Sequence, residues 1–150
     1  MNIKKLYRII FSLTIIWYSM IFINTYPLTV KGTANLYSIY GILGLLLIIG
    51  FSGHLLNFSF IYFYNSIIFS LWGFLQWNTH WSYLMKSPNK ARVAKYYNHF
   101  NNTLRILPKS ETIMIPDMYH LILHFLIFAL WISSLYFSIN YIRRLVSGIK

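Results

Sequence analysis

Residues 36–77, with the sequence LYSIYGILGLLLIIGFSGHLLNFSFIYFYNSIIFSLWGFLQW, decide the fold class of this chain. The run includes no Asp, Glu, Lys or Arg. As one continuous helix it would be roughly 63 Å long, about twice the thickness of the hydrocarbon core of a bilayer. It therefore predicts two membrane-spanning helices, at about 36–56 and 58–77. Their reversal is expected near residues 50–54 or at Asn57, where small and polar residues permit a tight turn.

Two further apolar stretches lie outward from this run, at about 6–24 and 118–140. Neither contains Asp, Glu or Lys, and the one Arg is Arg8, near the start of the first stretch. A segment in lipid must satisfy its own backbone hydrogen bonds, so apolar runs of about 20 residues form helices there. The sequence thus predicts an all-α integral membrane protein with four transmembrane helices, in which residues 1–150 form a single multi-pass membrane domain.

The polar segment between the third and fourth stretches contains an amphipathic pattern at about 88–107. Apolar residues recur there at spacings of three and four, which is one face of a helix, and Pro88 and Pro108 mark its two ends. Such a helix lies at the bilayer interface or docks on a partner subunit. The residues expected at this membrane-surface or partner contact are Lys90, Arg92, Lys95 and Arg105 on the basic face and Val93, Tyr97, Phe100 and Leu104 on the apolar face.

The chain is strongly basic, with 13 Lys and Arg against two acids and a formal net charge of +11. The bases lie at the ends of the apolar stretches and in the loops, so we expect anionic lipid headgroups as the partner and no nucleic acid. The predicted topology places six bases on one side of the membrane and seven on the other, which leaves the orientation open. The sequence contains no cysteine, which excludes disulfides and thiolate metal sites within the chain.

Three histidines are the candidate cofactor-binding residues. His120 and His124 are four apart and share one face of the fourth helix, and His80 follows the third helix on the same side of the membrane. Paired imidazoles on facing helices can hold haem b, so His80 with His120 or His124 forms a candidate haem site. The alternative is that these histidines form ordinary hydrogen bonds at the interface or between helices. No other cofactor and no metal is predicted.

A polar stripe on the third helix includes Asn65 and Gln76. Amides at membrane depth normally form hydrogen bonds to neighbouring helices, so this stripe predicts an interhelical contact. A quinone or substrate pocket at the same place is the alternative.

The sequence shows no paired acids for acid–base catalysis, no Gly-rich phosphate loop, and neither HExxH nor GxSxG. Residue types with AT-rich codons dominate, which indicates a small AT-rich genome of a bacterium or an organelle. We therefore expect a non-catalytic integral subunit of a larger membrane complex, energy-transducing or respiratory, in the mitochondrial inner membrane or a bacterial cytoplasmic membrane. The alternatives are a small haem b- or quinone-binding membrane anchor that uses His80 with His120 or His124, and a lipid-modifying membrane enzyme that uses a histidine and Arg105.

Overall fold

The computed structural model describes residues 2–23, 27–28, 34–58, 60–80 and 90–148. All regular secondary structure in these residues is helical, which confirms the all-α prediction. The helices are α1 (Ile3–Ser19, continued by a 3₁₀ turn at Met20–Phe22), α2 (Ala34–Leu55), α3 (Ile61–His80), α4 (Lys90–His99) and α5 (Met118–Ser147).

Among the residues that the structure describes, two helical segments are long and apolar enough to cross a membrane: Ile3–Phe22 with 20 residues and Met118–Ser147 with 30 residues. Helix α2 contains a shorter apolar segment at Tyr40–Leu55. Helix α3 is less apolar because amide and hydroxyl side chains, among them those of Asn65 and Ser66, interrupt its apolar sequence. Length and composition thus support two of the four predicted spans, and the spans of α2 and α3 stay a prediction.

Helices α1, α2, α3 and α5 pack as a four-helix bundle in which successive helices run antiparallel. Helix α5 packs on α1 and α3, and α2 packs on the same two helices from the opposite corner. The ring of Tyr7, early in α1, lies 5.6 Å from that of Phe137, late in α5, and 4.9 Å from that of His54 at the end of α2. At the opposite end Trp17 stacks on Tyr119, with 5.9 Å between the ring centroids. We call the end where α1 begins and α5 finishes the terminal end, and the end where α3 finishes and α5 begins the histidine end.

The surface of the bundle is apolar, while several of its polar side chains are buried. Each of the four helices exposes large apolar side chains, for example Leu13, Leu45, Leu71 and Phe125, of which Phe125 is 67% exposed. A helix bundle in water normally has its polar side chains outside. The buried polar side chains described in these four helices are Thr14, His54, Asn65, Ser66, His80, His124, Ser134 and Ser138.

The predicted amphipathic helix at 88–107 is shorter than expected. Helix α4 covers Lys90–His99, residues 100–107 form turns and bends, and residues 88 and 89 lie outside the described part. The prediction is therefore confirmed for residues 90–99 and wrong for residues 100–107.

Helix α4 ends where downstream side chains bind the carbonyl group of Phe100, the residue that follows the helix. The carbonyl oxygen of Phe100 accepts hydrogen bonds from Thr103 Oγ1 at 3.0 Å and from Arg105 Nη2 at 3.2 Å. The intervening residues Asn101 and Asn102 favour turns over helix, because their short amides compete for backbone hydrogen bonds. The spacing of apolar residues alone reveals neither effect.

The boundaries of the long helices also differ from the predicted ones. Helix α2 continues through residues 50–54, so that alternative for the reversal is wrong, and the chain turns at Asn57 with a left-handed φ of 57°. Helix α5 continues past the predicted end at 140 and stops at Gly148, whose φ of 64° closes the helix in the left-handed conformation that glycine adopts readily.

Helices α2 and α3 are in close contact at two glycines, Gly50 and Gly53. A Cβ atom on Gly50 would collide with the amide oxygen of Asn65, and one on Gly53 would collide with the side chain of Ile61. Small residues at these positions let the two backbones come together, as they do at many interfaces between membrane helices.

Replacing Gly50 with Ala is expected to destabilise the bundle by about 1–3 kcal/mol, because the Asn65 amide must move away from its hydrogen-bond partners. The matched control is Gly41→Ala in the same helix, since no atom lies within 4 Å of that Cβ position. Thermal unfolding in a mild detergent, followed by circular dichroism, measures both variants. Equal midpoints for the two variants would contradict the close approach at Gly50.

Candidate functional site

The structure brings the three candidate histidines together at the histidine end of the bundle. The ring centroid of His80 lies 5.1 Å from that of His120 and 4.9 Å from that of His124. His80 is the last residue of α3, and the other two lie one turn apart at the start of α5. Because α3 and α5 pack antiparallel, the end of α3 lies beside the start of α5, and the three histidines meet there.

Asp117 is the fourth polar member of this cluster, and sequence reasoning did not include it among the site residues. Its side chain is fully buried and caps α5, with Oδ1 accepting a hydrogen bond from the His120 amide at 2.9 Å. The same oxygen accepts a second bond from His120 Nδ1 at 2.7 Å. The signal available in the sequence was the spacing of three between Asp117 and His120, in a chain with only two acids.

The Asp117 carboxyl is held in its charged form. Burial acts to raise its pKa, but the side-chain hydrogen bond and charge of His120, the His120 amide and the Arg105 cation outweigh burial and lower the pKa from its ordinary value of 3.8. Because a carboxylate can only accept, His120 must carry a proton on Nδ1. The pair therefore fixes the orientation of the His120 ring.

His80 is oriented by its own helix. Its Nδ1–H donates to the carbonyl oxygen of Gln76, one turn earlier, at 3.0 Å. This bond directs Nε2 away from the helix backbone, and Nε2 is buried without a hydrogen-bond partner among the described residues. In the neutral tautomer set by the Gln76 bond, Nε2 is a buried acceptor.

Residues 90–117, which we call the connecting segment, cover the histidines with aromatic rings. Tyr96 lies with its ring centroid 5.6 Å from that of His80, and Phe100 lies 5.2 Å from His120. Burial raises the pKa of the Tyr96 hydroxyl, and the nearby charge of Asp117 raises it further. The cluster is thus closed by side chains of its own chain.

The connecting segment is held in shape by Arg105 and Tyr97. Arg105 Nη1 donates to the carbonyl of Ile115 at 2.7 Å, and the guanidinium lies 4.9 Å from the centre of the Tyr97 ring. The Tyr97 hydroxyl donates to the carbonyl of Ile113 at 2.7 Å and accepts from the amides of Ser110 and Ile115 at 3.1 and 3.0 Å. These bonds fold the segment back onto α4.

The residues expected to contact lipid or a partner are divided by this folding. Val93 and Tyr97 are buried against Met114 within the chain, so their apolar surface is already covered. Leu104 is 46% exposed and lies beside exposed Ile106 and Leu107. Of the basic residues, Lys90, Arg92 and Lys95 are exposed, whereas Arg105 is half-buried.

The amides of the polar stripe occupy different environments. Asn65 is buried, and its Nδ2 donates to the Tyr7 hydroxyl at 3.0 Å and to the carbonyl of Gly50 at 3.4 Å. It therefore joins α3 to both α1 and α2. Gln76 is half-buried and takes part in the histidine cluster through its backbone carbonyl.

The ring of His80 is in contact with the rings of His120 and His124. A haem b site formed by His80 with His120 or His124 stays a prediction. Within the described part of the chain, no group of three or more His, Asp or Glu side chains has an arrangement that could hold a metal ion. What the arrangement can do chemically is to orient imidazoles and hold a buried carboxylate charged.

Comparison with known proteins finds no matching family model, no similar curated protein and no similar solved structure.

Replacing Asp117 with Asn is expected to destabilise the protein by about 1–3 kcal/mol at neutral pH, because the charge-assisted bond to His120 is lost while an amide can still cap the helix. Since the folded-state pKa of Asp117 lies below 3.8, its contribution is complete above that pH and disappears as pH falls through the folded-state value. The stability difference between wild type and Asp117→Asn should therefore shrink in acid.

This difference is measured by comparing the unfolding midpoints of wild type and Asp117→Asn at several pH values between neutral pH and pH 3. Glu111→Gln is the matched control, because it removes the other acidic side chain of the sequence at an exposed position. A difference that stays constant over the whole pH range would contradict the charged state of Asp117.

Proposed function

We propose that α1, α2, α3 and α5 all cross a membrane. The main support is the distribution of polarity, because apolar side chains cover the outside of all four helices while hydroxyl, amide and imidazole groups lie between them. In water this apolar surface would be exposed at a large cost in free energy, at about 25 cal/mol per Å². In lipid the same surface is solvated and the interior polar groups bind one another.

Helix lengths agree with this proposal. Helix α2 has 22 residues and α3 has 20, so at ~1.5 Å per residue they extend about 33 and 30 Å, close to a hydrocarbon core of ~30 Å. Helix α5 has 30 residues and is longer than the core. Its last turns, with Arg143 and Arg144, then extend into the headgroup region, where basic side chains are favourable.

We further propose that the chain is a non-catalytic subunit of a larger membrane complex, energy-transducing or respiratory, in the mitochondrial inner membrane or a bacterial cytoplasmic membrane. The observation that supports a structural role is how the histidine cluster is used. Two of its contacts join the bundle to the connecting segment, namely the hydrogen bond of Asp117 with His120 and the contact of Phe100 with His120. The cluster fastens a folded, basic segment to the end of the bundle.

The outer face of the connecting segment suits a partner subunit or the lipid surface. The segment exposes the bases Lys90 and Lys95 and the apolar side chains of Leu104, Ile106 and Leu107. Exposed apolar side chains close together in sequence favour an interaction surface.

Single cysteines test the four spans directly, because the natural sequence has none. Cysteines at Leu45 and Leu71, exposed positions in the middle of α2 and α3, should react with a water-soluble maleimide only after detergent denaturation of sealed vesicles. Cysteines at the exposed positions Asn57 and Asn101 should react in intact vesicles, each from one side only and from opposite sides. Fast labelling at Leu45 and Leu71 in sealed vesicles would show that α2 and α3 lie in water.

The variant Leu104→Asp with Ile106→Asp tests the subunit proposal. It should dissociate the chain from its complex after extraction in mild detergent while leaving membrane insertion intact, because these side chains no longer bury apolar surface. Asn101→Asp with Asn102→Asp adds the same charge to the same segment and should leave the complex whole. Size-exclusion chromatography of both variants and of wild type provides the measurement.

The competing function, a lipid-modifying enzyme, gives a different result. Wild-type protein would then elute as a single chain in size-exclusion chromatography and would chemically modify added lipids. The variant His120→Gln would lack that activity. Such a result would contradict the subunit proposal and favour acid–base chemistry at the Asp117–His120 pair.

A further inference from the structure

A second polar site lies at the terminal end of the bundle, far from the histidines. A cleft of about 520 Å³ opens there between the start of α1, the α2–α3 turn and the last turns of α5. This volume falls within the range of small-molecule binding sites. The polar side chains that line the cleft are Asn2, Lys4, Asn57, Tyr62, Tyr136, Asn140, Tyr141 and Arg144.

The charge of the cleft is positive and uncompensated. Lys4 and Arg144 are its two charged lining residues, and three more bases, Lys5, Arg8 and Arg143, belong to the same end of the bundle. Both acidic side chains of the sequence, Glu111 and Asp117, precede α5 at the opposite end. The start of α1 adds the partial positive charge of a helix N-terminus. An anion that enters the cleft therefore meets cations without a competing acidic side chain among the described residues.

Hydrogen-bond donors accompany the two cations. The side chains of Asn57, Asn140, Tyr136 and Tyr141 line the cleft, and none of them forms a side-chain hydrogen bond to another described residue. Asn57 occupies the tight turn with its φ of 57°, which fixes its position relative to α3. Guanidinium, ammonium and amide donors around one cleft are the groups that recognise phosphate oxygens.

The floor of the cleft is aromatic. Tyr62 and Phe137 pack there with ring centroids 4.6 Å apart, and Phe58 and Ile3 expose apolar surface beside them. The cleft thus combines donors for an anion with an apolar surface that suits the glycerol and first methylene groups of a lipid.

We propose that this cleft binds the phosphate group of an anionic ligand, the headgroup of an anionic glycerophospholipid such as a phosphatidylglycerol. The choice of lipid over a soluble phosphate ester rests on the proposed membrane function, since the cleft lies where the four helices would leave the bilayer. The phosphate chemistry itself rests only on the cleft.

Binding is measured by native mass spectrometry and by titration of the full chain in a neutral maltoside detergent. The probes are a dihexanoyl phosphatidylglycerol below its micellar concentration, the zwitterionic dihexanoyl phosphatidylcholine, and glycerol phosphate as the soluble ester. The test variant is Lys4→Gln with Arg144→Gln. The matched control is Lys5→Gln with Arg143→Gln, which removes the same charge from the same two helices at residues that do not line the cleft.

Saturable binding of phosphatidylglycerol, weakened about tenfold or more in the test variant and less than about twofold in the control, supports the proposal. Weaker binding of phosphatidylcholine, whose choline cation is repelled by Lys4 and Arg144, also supports it. Glycerol phosphate that binds as tightly as the lipid supports the phosphate site and assigns it to a soluble ester. Equal losses in the two double variants, equal affinity for the two lipids, or binding that does not saturate would overturn the proposal.

Flotation of wild type and both variants with liposomes separates this proposal from the membrane function. Protein that does not float contradicts the membrane function alone, because glycerol phosphate still reports on the cleft. Protein that floats while phosphatidylglycerol binds equally to wild type and the test variant overturns the cleft proposal alone.

Discussion

The four long helices meet at one set of buried hydrogen bonds, and the packing of the bundle depends on it. Asn65 on α3 donates to the hydroxyl of Tyr7 on α1 and to the carbonyl of Gly50 on α2. The Tyr7 hydroxyl lies 2.9 Å from the hydroxyl of Ser134 on α5. Every helix of the bundle therefore has a partner at this point. A buried amide or hydroxyl without partners costs several kcal/mol in an apolar medium, so these bonds fix both the register and the neighbours of each helix.

This polar centre explains why glycine is needed in α2 and why the core is so aromatic. The amide of Asn65 reaches its partners only if α2 comes close, which Gly50 permits. Near the amide, the ring of Phe11 contacts the ring of Tyr7 at a centroid distance of 5.7 Å and the ring of Phe69 at 5.4 Å. Edge-to-face rings fill the space between the helices without adding polar groups that would need partners.

The periodicity and the length of the apolar stretches predicted the helices well, because helix formation depends mainly on the local sequence. The reversal at Asn57, the approximate helix bounds and the level of the histidines all follow from helix length and antiparallel order. The end of α4 could not be predicted in this way. It depends on Arg105, which the spacing pattern assigns to an exposed basic face but which turns inward to the carbonyls of Phe100 and Ile115.

The role of Asp117 was partly accessible from the sequence. That Asp117 caps α5 could be foreseen from the identity of this one residue. The burial of Asp117 and its bond to His120 could not, because they depend on the covering rings of Tyr96 and Phe100. Covering the carboxylate makes its pairing with His120 worth more, because water no longer competes for the same atoms. The connecting segment and the Asp117–His120 pair therefore stabilise each other: the segment excludes water from the pair, and the pair fixes the imidazole on which Phe100 packs.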